Sequence, residues 1–401
     1  MDNLKYWIWF VQCFGVGNNR IWEILSDYGN NPALAYDALK SGNVKTLTEK
    51  ERKLVSRASL LSAEEFIAYS ADKDYDIIVY DDARYPQRLR DIYNPPAVLF
   101  VMGDIGFVDN EVLITIVGTR KPSEYSLKFA TRICDELAKV GTVLVSGFAM
   151  GIDSMAHRSA LKNNGKTIAV LGSGLDIAYP PENADIKKVI AVNGAVVTEF
   201  FPGTPPNRGN FPKRNRILSG LSLGTLVIEA ASNSGALITA DYAVNQGREV
   251  FCVPPADLFD PRYAGVIRLI REGAIPVFSH LDVMFEYYEN YSHKLFSANP
   301  YSNYCDNDSI IFENVTVKER RSKSAKATET APAKKSEEEI DYSSYSPDEA
   351  RILKLLERGD SLLADEIAGL TGMEIADVLS VLTELEISGA VRAMAGQRYS
   401  I

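Results

Sequence analysis

The stretch Val112-Leu-Ile-Thr-Ile-Val-Gly-Thr-Arg-Lys-Pro-Ser123 decides the fold. Its first six residues are uncharged and mostly β-branched, the pattern of a strand buried on both faces. A glycine ends the run, and Ser123 stands where its hydroxyl can cap a helix. Leu127, Ala130, Cys134 and Leu137 then recur at helical spacing and form one apolar stripe. Similar apolar runs follow at Thr142–Val145, Thr167–Leu171, Ala195–Thr198, Thr225–Ile228 and Val250–Val253, with helical segments between them. Two preliminary strands, Ile77–Val79 and Val98–Val101, flank a proline-containing loop. The alternation predicts an α/β fold, an extended Rossmann-like, doubly wound parallel sheet spanning residues 73–290. Ligands of such sheets bind beyond the carboxyl ends of the strands.

Outward from this core, residues 1–72 read as an N-terminal helical (SAM/HhH-like) domain, with Leu4, Trp7, Ile8 and Val11 at helical spacing. Its Phe14-Gly-Val-Gly-Asn-Asn-Arg20 turn is either a plain interhelical turn or, as in helix–hairpin–helix modules, a set of backbone donors for a phosphate. Residues 291–345 are rich in charged and small residues and read as a flexible linker. Residues 346–401 predict three helices and a terminal hairpin, the layout of a winged helix.

The chain has 401 residues, 46% of them hydrophobic and 24% charged, which suits a globular protein of two or three domains. No apolar run approaches the ~18–20 residues of a membrane span. The start lacks the pattern of a secretory signal, and four scattered cysteines suggest neither a disulfide framework nor a metal site. These features point to the cytoplasm, with no membrane span and no readable metal site. The net charge of −10 argues, taken whole, against a nucleic-acid partner. Split by segment it says something narrower. Residues 112–280 carry 18 basic and 14 acidic side chains, whereas residues 341–401 carry 5 and 11. The α/β core can present a basic face, while the acidic tail suits protein contacts better than DNA.

Five loops lie at strand ends. Gly118 and Arg120 follow the first strand of the regular alternation, where backbone amides and a fixed cation favour a phosphate. Ser146, Gly147 and Gly151 follow the next, with Asp153 placed to tie loops together and His157 reading as a packed histidine rather than a catalytic base. Ser173 lies in Gly172-Ser-Gly174. Lys166 precedes that strand, at the opposite end from this loop. Phe211-Pro-Lys-Arg-Asn-Arg216 places three cations and an aromatic ring at a helix start, against the helix dipole, as an anionic ligand would require. Cations neutralise phosphates, and an aromatic side chain stacks bases. Ser234 begins another helix, and Glu229 is positioned to bond loop amides. No GxGxxG dinucleotide fingerprint is present.

Gly118-Thr-Arg120, Ser146-Gly-Phe-Ala-Met-Gly-Ile-Asp153, Thr167-Ile-Ala-Val-Leu-Gly-Ser-Gly-Leu-Asp176, Tyr179-Pro180, Phe211-Pro-Lys-Arg-Asn-Arg216 and Ser234-Gly-Ala-Leu-Ile-Thr-Ala240 together resemble the DNA processing protein A family (DprA, also called Smf). The resemblance runs in order through residues 75–280. It implies a non-enzymatic, cofactor-free protein that binds single-stranded DNA, protects it during natural transformation and recombination, and loads the RecA recombinase. It also implies a homodimer formed through the Rossmann-like domain. By motif, Arg120 and Lys166 would contact phosphates. Phe211, Lys213, Arg214, Asn215 and Arg216 would line the pocket. Gly118, Ser146, Gly147, Ser173 and Ser234 would supply backbone or hydroxyl bonds. The chain departs from the family pattern at Thr119, Ser126, Pro255 and Gly265-Val-Ile-Arg-Leu-Ile270. A second reading is a nucleotide-cleaving phosphoribohydrolase, for which Gly224-Thr225 and Glu229 keep part of the signature. A third is a protein-interaction scaffold built on the acidic tail.

Overall fold

Strands form where the apolar runs lie: β1 (Asp76–Val79), β2 (Val98–Gly103), β3 (Leu113–Val117), β4 (Val143–Ser146), β5 (Thr167–Val170), β6 (Gly194–Thr198), β7 (Gly224–Val227) and β8 (Glu249–Cys252); the short β9 (Ile275–Pro276) lies outside the predicted runs. The computed structural model describes residues 3–42, 44, 46–177, 179–291, 293–295, 345–356, 362–373, 375–387, 390–394 and 398–400. The expected linker therefore lies almost wholly outside the described residues. Among those described, the strands join into one sheet in the order β1-β2-β6-β5-β4-β3-β7-β8-β9. From β6 to β9 every neighbouring pair is parallel. β1 and β2 add an antiparallel extension beside β6, so the sheet is mixed at one edge.

Helices α1 (Leu4–Phe14), α2 (Arg20–Ser26), α3 (Pro32–Lys40), α4 (Glu49–Arg57) and α5 (Leu60–Asp72) precede the sheet. Within it lie α6 (Gln87–Arg90), α7 (Glu124–Lys139), α8 (Ile152–Lys162), α9 (Ala184–Val192), α10 (Asn210–Leu221), α11 (Gly235–Asn245), α12 (Ala264–Arg271) and α13 (His280–Tyr291). Alternate strand residues point to opposite faces. Val143, Val145, Ile168 and Val170 pack on one face with Leu218, Leu237 and Leu269 from α10, α11 and α12. Ile114, Ile116 and Leu144 pack on the other with Ile133, Ala156 and Met284 from α7, α8 and α13. Ser123 caps α7, accepting the Ser126 N–H at 3.1 Å.

The helical start does not stand apart from the sheet. Trp7, Phe10 and Ile24 share a core with Val98, Phe100 and Val196. The Gly-x-Gly turn docks as well: Gly17 N–H donates to Glu199 Oε1 at 3.3 Å, and Asn94 Nδ2 donates to Gly17 O at 2.8 Å. Gly15 and Gly17 both take positive φ, 87° and 67°, which only glycine adopts readily. Of the two readings of this turn, the amide of Gly17 serves the interhelical one, because a carboxylate of the same chain accepts from it.

The chain separates into two units, Met1–Val317 and Lys318–Ile401. In the second, α14 (Pro347–Leu356), α15 (Ala364–Thr371) and α16 (Ile375–Ile387) pack around Ile352, Leu353, Ile367, Val378 and Leu382. Gly372, at φ 72°, ends α15. β10 (Leu362–Leu363), β11 (Arg392–Met394) and β12 (Arg398–Ser400) form an antiparallel sheet in the order β10-β12-β11, which supplies the wing.

Candidate nucleic-acid interface

The winding direction of the parallel sheet reverses between β3 and β7. Strands run outward from β3 to β6 on one side and from β7 to β9 on the other. The loops that leave these two strands therefore part, and a crevice opens at their carboxyl ends. A cavity of about 490 Å³ lies there. Gly118, Thr119, Arg120 and Lys121 line it from β3, Ser234, Gly235 and Thr239 from the start of α11, and Phe211, Arg214 and Asn215 from α10. Phe211 and Arg120 also border a narrower slot of about 50 Å³, walled by Phe148, Met150, Gly172, Ser173 and Tyr179.

Phe211 thus divides two spaces. The Arg120 guanidinium lies over its ring, 5.6 Å from the centroid, and the Tyr179 ring is 6.0 Å away. Arg120, Met150 and Tyr179 are exposed. This gives apolar and aromatic faces beside an exposed cation, a surface for a flat base joined to a phosphate.

Beneath lies a buried polar layer. Arg214 Nη1 donates to Gly147 O at 2.6 Å and to Val170 O, and its Nε donates to Asn215 Oδ1 at 3.1 Å. Burial lowers its pKa to about 10. A Cβ at residue 147 would overlap this guanidinium, so any larger residue there must displace it from its hydrogen bonds. Asp153 accepts the N–H groups of Gly147 (3.1 Å) and Ala149 (3.3 Å). Burial raises its pKa, opposed by Arg214 and by these amides. Phe148, between them, takes φ 61°, a strained conformation for a bulky residue. His157 is buried, with Nδ1 2.8 Å from Thr167 Oγ1, and burial lowers its pKa to about 3. It packs and is far from a poised base. Glu229 Oε2 accepts from Ser123 N (3.0 Å) and Ser123 Oγ (2.7 Å), tying β7 to the start of α7.

Several sequence-predicted residues meet at the cavity or slot: Gly118, Arg120, Gly147, Ser173, Phe211, Arg214, Asn215 and Ser234. Others do not. Lys166 is at the amino end of β5, over the Phe107 ring and 3.6 Å from Glu111 Oε1, at the opposite end of the strands from the crevice. A residue that precedes a parallel strand cannot reach the loops that follow it. Arg216 is turned into the protein, with Nη2 2.8 Å from Glu199 Oε2. The Ser146 hydroxyl is buried and donates to Ile116 O at 2.6 Å. Lys213 is exposed beside the site and its Nζ reaches Val16 O at 3.3 Å. Ser234 Oγ accepts the Ala236 N–H at 3.3 Å as the α11 cap. Sequence reasoning passed over Lys121, although it follows Arg120 in the same turn. It also left Met150 and Tyr179 without a role.

A family model described as DNA recombination-mediator protein A matches residues 76–288. This chain belongs to the DprA/Smf family. A second model, the DprA winged helix domain, matches residues 327–397. The chain is 32% identical to Protein Smf of Synechocystis sp., over 98% of each chain. It is 41% identical to DNA processing protein DprA of Bacillus subtilis over 220 residues, 55% of this chain and 74% of that one. The X-ray structure of DNA processing protein A from Streptococcus pneumoniae is similar with a TM-score of 0.62 at 32% identity, covering 70% of this chain and 97% of that one. The family's Rossmann-like core and winged helix are thus both present here. Among the described residues, no helix is long and apolar enough to cross a membrane.

Proposed function

We propose that this chain binds single-stranded DNA in the switch-point cavity and its adjoining slot, and hands the covered strand to a RecA-type recombinase during recombination or transformation. The observation that carries the reading is the Arg120 guanidinium over the Phe211 ring at the carboxyl ends of the strands. A single strand offers both the unstacked base that Phe211 and Tyr179 can take up and the phosphate that Arg120, Lys121 and Lys213 can neutralise. A duplex keeps its bases stacked and offers only phosphates. The engagement of Glu229 with Ser123 favours binding over hydrolysis, since that carboxylate already holds a loop. A homodimer, which would place two such cavities along one strand, belongs to the same proposal.

The test is a titration of labelled oligo-dT and its duplex at two salt concentrations. Preferred, salt-sensitive binding of the single strand, lost in Arg120→Glu, is expected. Equal or absent binding of the two forms overturns the reading. Sizing in solution checks the dimer. Recombinase assembly on strands coated with single-strand-binding protein checks the hand-over.

A further inference from the structure

We infer that Asn210 and Asp176 are positioning residues that latch two loops together and thereby hold the Phe211 ring at the site; the inference rests on the single-stranded DNA reading above. The need for a latch follows from the start of α10. Its N-cap is Gly209, which makes no side-chain cap bond, and its first turn carries no acidic residue. Phe211 is the second residue of that helix, in the turn whose amides lack intrahelical partners and which frays most easily. Its preceding loop contains Pro202-Gly-Thr-Pro-Pro206 and has no strand or helix of its own.

Bonds to the loop after β5 supply what the helix lacks. Asn210 Nδ2 donates to Gly172 O at 3.1 Å and to Pro205 O at 3.3 Å. Both oxygens of the Asp176 carboxylate accept from Gly203 N, at 2.8 and 2.9 Å. Gly174 N–H donates to Thr204 O at 2.9 Å. From below, the buried Lys187 Nζ donates to Leu175 O and Ile177 O, fixing the β5 loop itself. The two loops are therefore joined at several points next to where Phe211 meets Gly172. There the fit is close: a Cβ at residue 172 would lie 2.9 Å from the ring. Asn210 and Asp176 line neither the cavity nor the slot, so they act through Phe211.

The experiment uses the full chain with an oligo-dT carrying one 2-aminopurine, whose fluorescence falls when it stacks. Phe211→Ala is expected to weaken binding about tenfold and to remove most of the quench, in the range of one lost base stack. Asn210→Ala and Asp176→Ala are each expected to weaken binding several-fold and reduce the quench. Asp176→Asn, which keeps a carbonyl acceptor for Gly203, should restore most of it. The Asn210→Ala/Phe211→Ala double variant should bind no more weakly than Phe211→Ala alone. Wild-type affinity and quench in both alanine variants, or full additivity in the double variant, overturns the latch while leaving the DNA reading intact. A wild-type chain that ignores the single strand overturns the DNA reading itself.

Discussion

Arg216 Nη2 donates to both carboxylate oxygens of Glu199, at 2.9 and 2.8 Å, and the two side chains are only 5% and 4% exposed. The remaining guanidinium nitrogens donate to Asn94 O (3.0 Å) and Lys213 O (3.2 Å), while Glu199 Oε1 also accepts from Gly17 N–H in the turn between α1 and α2. One ion pair thus joins α10, the β6 end, the Asn94 loop and the N-terminal helices. Glu199→Ala leaves a buried, unpaired guanidinium and is expected to cost about 3–5 kcal/mol. Urea unfolding measures this, and the loss should be nearly the same at low and high salt because the pair is screened from solvent. A solvent-facing pair such as Arg262–Asp260 should change stability far less when broken, and that smaller loss should shrink at high salt.

Arg120 and Lys166 separate the two ends of the sheet. Arg120 faces the cavity with little packing to lose, so Arg120→Ala should leave the unfolding midpoint in place while weakening single-strand binding. If it meets one phosphate, the slope of log K against log salt should become shallower by about 0.7. Lys166→Ala should alter neither affinity nor slope, since Lys166 sits with Glu111 and Phe107 at the amino ends of the strands. A shared loss in both variants would contradict this placement.

The sheet was legible in the sequence because buried parallel strands leave uninterrupted apolar runs. The mixed edge was not, because the runs at Ile77–Val79 and Val98–Val101 do not encode their direction. The site was half legible. Glycines, serines and cations mark loops at strand ends, and Phe211 and Arg120 do face the crevice. Which cations stay in solvent cannot be read from Lys213-Arg-Asn-Arg216, because consecutive helical residues point about 100° apart and their partners, Gly147, Val170 and Glu199, are distant in the chain. Lys213 emerges and its two arginine neighbours are buried. The same limit applies to Gly147, which lines the slot while the guanidinium of Arg214, distant in the chain, fills the space a side chain there would take.

That contact makes Gly147 a sensitive position. Gly147→Ala puts a methyl group into the Arg214 guanidinium and breaks its bonds to Gly147 O and Val170 O. Overpacking of this kind costs about 1–3 kcal/mol. If displacement of Arg214 is the cause, Gly147→Ala should add little to Arg214→Ala in a double-mutant cycle. Simple additivity would point to a different origin for the loss.

The acidic tail is expected to contribute little to the strand affinity. Residues 341–401 carry 5 basic against 11 acidic side chains, so a phosphate chain gains nothing electrostatically from them. A chain lacking these residues should bind oligo-dT within about twofold of the full chain at moderate salt, a difference under 0.5 kcal/mol. Loss of binding in a truncation that still unfolds cooperatively would place the tail in the site.

His157 provides a pH test of the core. Thr167 Oγ1 donates to Leu144 O at 2.7 Å, so it accepts from His157 Nδ1, which therefore carries the ring proton. His157 Nε2 is buried without a hydrogen-bond partner among the described residues, and protonating it would bury a charge near Arg214. The folded pKa, about 3, lies below the ordinary 6.5. The contribution of this group is therefore fully present above about pH 6.5, where neither state is protonated. As pH falls, the unfolded chain takes up a proton that the folded chain refuses, and stability drops by about 1.4 kcal/mol per pH unit until the folded pKa is reached. Asp153, whose folded pKa is raised, has the opposite sign and offsets part of this loss at the acid end. Between pH 7.5 and 5.0 the wild-type chain should lose about 2 kcal/mol more than His157→Gln, which keeps an amide donor for Thr167 without a titrating ring. Urea unfolding of both chains at each pH gives the difference directly, with all other ionisable groups held in common. Parallel pH profiles for the two chains would mean that the imidazole takes up a proton in the folded core as readily as in the unfolded chain.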